Sequence, residues 1–441
     1  MAKKLGIHFV ETSRKFIQRL STKEHYRVSE KDFTRDRKLR FDKMIFLMIK
    51  LVRQNIQVEL RSYHDSLVGF EQEGVMSITS SAFVQRRKKI KPDMFYDLSA
   101  RIATDFYIDN DESVLLYKGH RVLGIDGSTI NLPLNELIKA TYGTFNNQKQ
   151  TNDVVICRVS IMYDLLNEIV LDGKLCHFGI GEVTLSREHI QLAQANDIII
   201  MDRAYPSFES MYEMKARGIH FVYRCKTTFS NRVTTFYESQ KKEAIIEITP
   251  AQNHSFKNLP YSKDEIIKAR MIRIELPSGE TELLMTSLLD KEQYPYADFK
   301  NLYFTRWGIE TYYNRFKNII GVEHFSGTSD QFIQQEFNCA LYMSNMQSIL
   351  TKEAQNEADE KYQHRKYEYK INSSLSLCFI RSRLIELFTS KKNSETIMQE
   401  LKKLFVANVI PVRPNRKFER KPDKYRQRTR PKLFNNKRTV L

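Results

Sequence analysis

Cysteine is scarce. The five present, Cys157, Cys176, Cys225, Cys339 and Cys378, are odd in number and far apart, with no Cys-x-x-Cys pair and no cysteine/histidine spacing suited to zinc. That excludes a disulfide framework and a zinc module, and it fits a reducing cytosol. Long apolar runs are missing as well: the nearest, 44–52, contains Lys50 and falls far short of the roughly 18 residues that cross a bilayer. The opening MAKKLGIHFVETSRK is basic but has neither an apolar segment nor a small-residue cleavage site, so no secretion signal is expected. Acid is the charge in short supply, with 53 Asp and Glu against 70 Lys and Arg. The resulting net charge of +17 favours a polyanionic partner, nucleic acid before membrane. At 441 residues the chain has length enough for two or three domains with their own cores.

The most informative stretch is 303–317, YFTRWGIETYYNRFK. Wound as a helix at about 100° per residue, it brings Lys317, Glu310 and Tyr303 to within about 60° of Arg306. Ile309, Tyr312, Phe316, Ile319 and Ile320 fall on the opposite side, as in an amphipathic helix. Glu310 is therefore expected to face a site, flanked by two cations. Arg and Glu four residues apart also occur as a plain surface pair worth ~0.2–0.5 kcal/mol, and spacing alone does not separate the two readings.

Two aspartates precede this stretch at the ends of apolar strands. Residues 121–125 form a short strand ending in Asp126-Gly127, and 197–201, DIIIM, form a buried strand delivering Asp202. Taken singly, each is an ordinary turn or helix-cap residue. Further strands are expected at 154–163, 168–177 and 220–224, with helices at 185–195 and 207–217. Residues 226–296 alternate as four strands, 232–237, 243–249, 266–276 and 280–289, with a hairpin turn at Pro277-Ser278-Gly279.

Ahead of the strands, residues 1–118 read as helices at 11–20, 32–55, 80–90 and 92–106, with a turn at Gly74. Two basic clusters lie here, Arg35, Arg37, Lys38, Arg40 and Lys43, then Arg86, Arg87, Lys88, Lys89 and Lys91. The second suits either a helix-turn-helix-like reader of the major groove or a solvated helix face. Residues 328–405 show helical periodicity and serve either to pack on the core or to join two protomers. From 411 to 441 the chain carries 12 Lys or Arg against two acids and no apolar period, a disordered cationic tail suited to phosphate.

The spacing Tyr303-x2-Arg306-x3-Glu310-x6-Lys317 resembles the Y-R-E-K signature of the DDE transposases of the insertion-sequence-four family. GIDGSTINLP around Asp126, MDRAYPSFE around Asp202 and SSAFVQRRKKIKP at 80–92 are similar to blocks of the same family, and the resemblance covers most of 80–350. It implies an α/β fold: a ribonuclease-H-like catalytic core, 119–225 and 297–350, interrupted by an all-β insertion at 226–296. A helical DNA-binding domain at 1–118, a helical C-terminal region at 351–410 and a basic disordered tail at 411–441 complete the expected organisation. It further implies that Asp126, Asp202 and Glu310 are catalytic and hold two Mg²⁺ (or Mn²⁺), because oxygen ligands suit hard cations. Tyr303, Arg306 and Lys317 would bind phosphates at the transposon end, and Arg86, Arg87, Lys88 and Lys89 would hold DNA.

The implied activity is binding of terminal inverted repeats, cleavage of the ends and joining of 3′-hydroxyls to target DNA. Double-stranded DNA is the expected partner, with no membrane. A homodimer is expected in the DNA complex, in the cytoplasm and at the prokaryotic nucleoid. In better-known relatives the insertion carries a tryptophan that stacks on a flipped base. Here the only tryptophan is Trp307, the comparable place holds Glu282, and Phe236 or Tyr237 are the available substitutes. Two further readings stand beside this one, a ribonuclease-H-like endonuclease or resolvase without strand transfer, and a non-catalytic DNA-binding regulator.

Overall fold

The computed structural model describes residues 5–35, 37–50, 55–68, 78–108, 113–145, 154–251, 256, 259–276, 278–390 and 394–413. The expected turn at Gly74, Pro277 of the expected hairpin and the basic tail beyond residue 413 lie outside them. Six helices come first: α1 (Leu5–Gln18), α2 (Leu20–Tyr26), α3 (Phe41–Ile49), α4 (Ile56–Val68), α5 (Ser80–Arg87) and α6 (Asp93–Ile108). Strand β1 (Val122–Asn131), helix α7 (Glu136–Tyr142) and strands β2 (Thr144–Phe145), β3 (Val154–Asp164) and β4 (Ile169–His177) follow. Next are α8 (Glu182–Ile190), β5 (Ile198–Met201), α9 (Phe208–Ala216), β6 (His220–Cys225), α10 (Asn231–Glu238), β7 (Glu243–Ile248), β8 (Ile267–Glu275) and β9 (Thr281–Thr286). After them come α11 (Asp298–Phe304), α12 (Trp307–Asn318), α13 (Asp330–Tyr362), β10 (Glu368–Ile371), α14 (Ser373–Thr389), α15 (Ser394–Ala407) and β11 (Val409–Val412). The fold is mixed α/β, and the chain divides into two compact units.

One unit comprises Glu112–Thr129 and Arg158–Tyr313. Its sheet is mixed and reads β4, β3, β1, β5, β6, β9, β8, β7. β1, β5 and β6 are parallel, with Val122 beside Ile198, Gly124 beside Ile200 and Ile198 beside His220. A strand with parallel neighbours on both sides is apolar throughout, and all four residues of β5 are fully buried. Just ahead of these strands Arg121 grips Asp197 through two hydrogen bonds of 2.7 and 2.6 Å, which sets β1 and β5 side by side.

β9, β8 and β7 continue the sheet antiparallel from β6, so 226–296 build outward on the same sheet. Nor is the segment all strand. The expected strand at 232–237 is helix α10, because Ser230 caps it by accepting from the Val233 N–H and because the buried pair, Val233 and Phe236, is three residues apart.

The other unit joins Met1–Asp111, Ile130–Cys157 and Asn314–Leu441, and so is built from both ends of the chain. Its axis is the 33-residue α13, capped by Ser329. Every residue from Phe337 to Leu350 is buried, as befits a helix surrounded by others, here α1, α3, α6, α14 and α15. The expected helix at 32–55 begins only at Phe41; residues 29–35 and 37–39 are non-helical, mostly turns and bends, and Phe33 has a left-handed φ of 56° that no α-helix tolerates. β10 and β11 pair as a short ribbon that the sequence did not announce. Among the described residues no helix is long and apolar enough to cross a membrane.

Arg87 ties this unit together. It is 2% exposed and donates to Gln335 (2.8 Å), Ser326 (2.7 Å), Glu336 (2.8 Å) and the Phe332 carbonyl (2.8 Å). Replacing it by Ala leaves the Glu336 carboxylate without its main counter-charge, and removal of one partner from a buried pair costs about 3–5 kcal/mol. Arg187→Ala, by contrast, breaks an exposed pair with Glu213 and costs at most about 1 kcal/mol. Urea midpoints of the two variants followed by circular dichroism will show the first far below the second.

Candidate active site

β1 does not end at Ile125. It runs on through Thr129 and Ile130, β-branched residues that favour extended backbone, so Asp126 lies within a strand and not in a turn. Its Oδ1 accepts from the Gly127 N–H (2.9 Å) and from the Tyr205 hydroxyl (3.4 Å), while the Tyr313 hydroxyl donates to its carbonyl (2.8 Å). Asp202 directly follows β5, and its Oδ1 accepts from the Ala204 N–H (2.7 Å). β1 and β5 pair as far as Gly124 and Ile200, two residues short of Asp126 and Asp202, so the two acids leave neighbouring strands at the same level and the charge of Asp202 reaches Asp126. Two acids separated widely in sequence are thus neighbours through parallel pairing.

That proximity has an electrostatic signature. Burial pushes the Asp126 carboxyl up to about 6, the charges of Asp202 and Glu182 push the same way, and the Gly127 N–H and Arg306 pull it down.

The third acid arrives from a helix that is not continuous with its predecessor. The expected helix at 303–317 is broken at Thr305 and Arg306 into α11 and α12. The Thr305 side chain donates to the Leu302 carbonyl (2.7 Å), and the next amides close tight three-residue bonds, Gly308 N to Thr305 O (2.8 Å) and Ile309 N to Arg306 O (3.1 Å). Gly308 then brings α12 close to Leu165, where an added Cβ would stand 3.3 Å from the Leu165 side chain. Glu310 occupies the first turn of α12 and accepts from Arg306 Nη2 at 2.8 Å. Arg306 is buried, feels Asp126, and lies over the rings of Trp307 (5.0 Å) and Tyr303 (5.8 Å). Asp126, Asp202, Arg306 and Glu310 thus lie in one unit, with Arg306 holding Glu310 and felt by Asp126, and with Asp202 acting on Asp126.

Other expected residues fall differently. Tyr303 sits on α11 with its ring buried beside Phe299 and Leu302, so as placed it is a core residue and not an open phosphate ligand. Lys317 lies seven residues beyond Glu310 on α12, past the point where the helix enters the other unit. Glu282 pairs with Arg224 at 3.2 Å. Phe236 is buried, and Tyr237 is covered by Arg273. Trp307 remains 44% exposed. Spacing gave no sign of three further neighbours, Tyr205, Tyr313 and Glu182. Tyr205 lies inside the MDRAYPSFE block, which could have flagged it, whereas Glu182 arrives only through tertiary packing.

Of the expected DNA-binding cations of α5, three are engaged in holding the fold. Arg87 is buried, as above. Arg86 donates to the Leu39 carbonyl (3.1 and 2.9 Å) and covers the Phe33 ring, and Lys89 pairs with Asp32. The cause is visible in the helix itself: Arg87 stands four residues after Phe83, on the same buried face. Lys88 is exposed. The pinned segment presents exposed Arg35, Arg37, Lys38 and Arg40 instead, the first three lining a cleft of about 870 Å³ shared with α5.

Among the described residues no three His, Cys, Asp or Glu side chains stand close enough together to grip a metal ion as placed, and Glu310 is held by Arg306. The donor set is nonetheless all oxygen, and the mutual repulsion of Asp126 and Asp202 is of the kind a divalent cation relieves.

Residues 117–346 match the family described as the transposase DDE domain, slightly more than half of the chain. The transposase for insertion sequence element IS231F of Bacillus thuringiensis subsp. israelensis is 18% identical over 380 residues, 74% of each chain. Among solved structures, the cryo-EM structure of a piggyBac transposase synaptic complex with hairpin DNA aligns over 95% of this chain and 85% of that one. Its TM-score of 0.39 and identity of 9% make that likeness too loose to fix the fold.

A buried acid whose folded pKa lies above the ordinary value binds its proton more tightly when native. That advantage is complete below the ordinary aspartate pKa and disappears as pH rises through about 6. Asp126→Asn, neutral at every pH, is therefore expected to raise stability at pH 8 without divalent ions, by on the order of 3 kcal/mol or less and seen as a higher thermal midpoint, with no gain at pH 4. Thermal melts at the two pH values check it.

Proposed function

The chain belongs to the DDE transposases of the insertion-sequence-four kind, and on that premise we propose that it binds the terminal inverted repeats of its element. It then cleaves the ends by divalent-metal-dependent hydrolysis and joins the exposed 3′-hydroxyls to target DNA. The observation that carries this reading is the register that sets Asp126 beside Asp202, with Arg306 linking that pair electrostatically to Glu310. The sheet order β4, β3, β1, β5, β6, with β1, β5 and β6 parallel, supports a ribonuclease-H-like core.

Asp126, Asp202 and Glu310 would hold Mg²⁺ or Mn²⁺, which when bound activates the attacking oxygen and neutralises the leaving one. The chain's own residues do the rest. Arg306 exchanges Glu310 for a strand phosphate, which its planar fork can grip with two hydrogen bonds. Lys317 adds a point charge farther along α12. The burial of Asp126 keeps bulk water from screening the reacting centre. Tyr205 and Tyr313 hold the Asp126 carboxylate and backbone in place. Sequence-independent grip on the duplex comes from Arg35, Arg37, Lys38 and Arg40 rather than from α5. A dimer suits a reaction on two paired ends.

Asp126→Ala, Asp202→Ala and Glu310→Ala are each expected to abolish Mg²⁺-dependent cleavage of an end substrate while leaving end binding largely intact; cleavage that persists in all three rules the site out. Covalently joined donor and target molecules from the wild type, seen on a gel, separate a transposase from an endonuclease that only cuts. Arg35→Gln with Arg37→Gln is expected to weaken binding at all sequences alike and to flatten the salt dependence by ~0.9 in slope for each phosphate no longer neutralised. Filter binding across a salt series measures this.

A further inference from the structure

We infer that Glu182 is a fourth carboxylate of the ion-binding group, brought beside Asp126 by the absence of a side chain at position 127 and held by Arg158 until an ion takes it. The inference rests on the metal-dependent reading of the Asp126 site.

Glu182 opens α8, the helix between β4 and β5, and its Ncap, Gly181, offers no side chain to cap it. The carboxylate is instead held by Arg158 of β3. It lies directly on the backbone next to Asp126: a Cβ built at Gly127 would stand 2.7 Å from Cγ, Cδ and Oε1 of Glu182. An L side chain at 127 would therefore push Glu182 away from Asp126. Glu182 is also felt by Asp126, Tyr205 and Tyr313, the same groups that enclose the first acid, and Asp202 is felt by two of them.

The helix bearing Glu182 has a fixed seat. His189 near its other end is fully buried, with Nδ1 2.8 Å from Asp172 of β4 and Nε2 3.0 Å from Ser160 of β3. Lys174 adds a link to Asp172 at 3.4 Å and to Glu188 at 3.1 Å. A surface salt bridge would not need a buried polar anchor of this kind one helix length away, nor a residue without a side chain beneath it.

The arrangement is also balanced. Arg306 holds Glu310 and Arg158 holds Glu182, so each of these acids has its own arginine, and one member of each pair, Arg306 and Glu182, is felt by Asp126. An incoming cation competes with a guanidinium for either carboxylate.

The test is Mn²⁺ binding to the full chain without DNA, followed by the decrease of the free-ion electron paramagnetic resonance signal. The wild type is compared with Asp126→Asn, Glu182→Gln and Arg158→Gln, with thermal midpoints measured on the same samples. Glu182→Gln is expected to weaken Mn²⁺ binding on the order of 10-fold, and Arg158→Gln, which breaks the same pair but keeps the carboxylate, is expected not to weaken it. If Glu182 serves only the salt bridge, the two variants will lose thermal stability alike with Mn²⁺ affinity unchanged, while Asp126→Asn still loses it. That result overturns the inference and leaves the proposed function standing. If the wild type binds no Mn²⁺, or Asp126→Asn binds as well as it does, the metal reading itself falls and this inference with it.

Discussion

Two carboxylates brought close by strand register, one of them half-buried, are the constraint around which the rest of their unit is arranged. Nothing in the hydrophobic effect favours that arrangement; burial, more than any neighbouring charge, holds the Asp126 carboxyl near 6. It persists because β5 is apolar at all four positions and must lie between β1 and β6, which fixes where Asp126 and Asp202 fall. The compensation is local: an amide N–H from Gly127, a hydroxyl from Tyr205 and the positive charge of Arg306. A site of this kind is less stable than a neutral core of the same shape, a common cost of holding reactive groups ready.

Arginine is used in this protein as structural material as much as surface charge. Arg87 is sealed against α13, Arg270 is fully buried with Glu243 and the Tyr294 carbonyl, and Arg121 joins the starts of two strands. The net charge of +17 therefore overstates the cationic surface offered to a polyanion. In the N-terminal region the contrast is sharp: Arg86, Arg87 and Lys89 pin neighbouring segments, and the adjacent loop carries the exposed charge.

Much of the unit that carries Asp126 and Asp202 was legible from local pattern. DIIIM could only be a buried strand, and Asp202 follows from where it stops. The amphipathic division holds in part: Ile309, Tyr312 and Phe316 of α12 are buried and Glu310 is partly open, whereas Tyr303 and Arg306, expected on the open face, are buried as well. What stayed hidden depends on tertiary partners. The break at Thr305 turns on one hydroxyl bonding to one carbonyl, and 232–237 alternates convincingly until Ser230 caps it as a helix. The buried fate of Arg87 is set by α13, some 245 residues away, which no window on the sequence spans. Glu182 has no spacing relation to the other acids, and only the packing of α8 against β1 reveals it.

The long helix α13 is the partner on which α1, α3 and α6 close, yet it is translated after both of the strands that carry the aspartates. Helices α1, α3 and α6 therefore leave the ribosome well ahead of the surface on which they pack. A polypeptide terminated before α13 by a frameshift or a stop codon would leave the apolar faces of those helices without the partner that covers them.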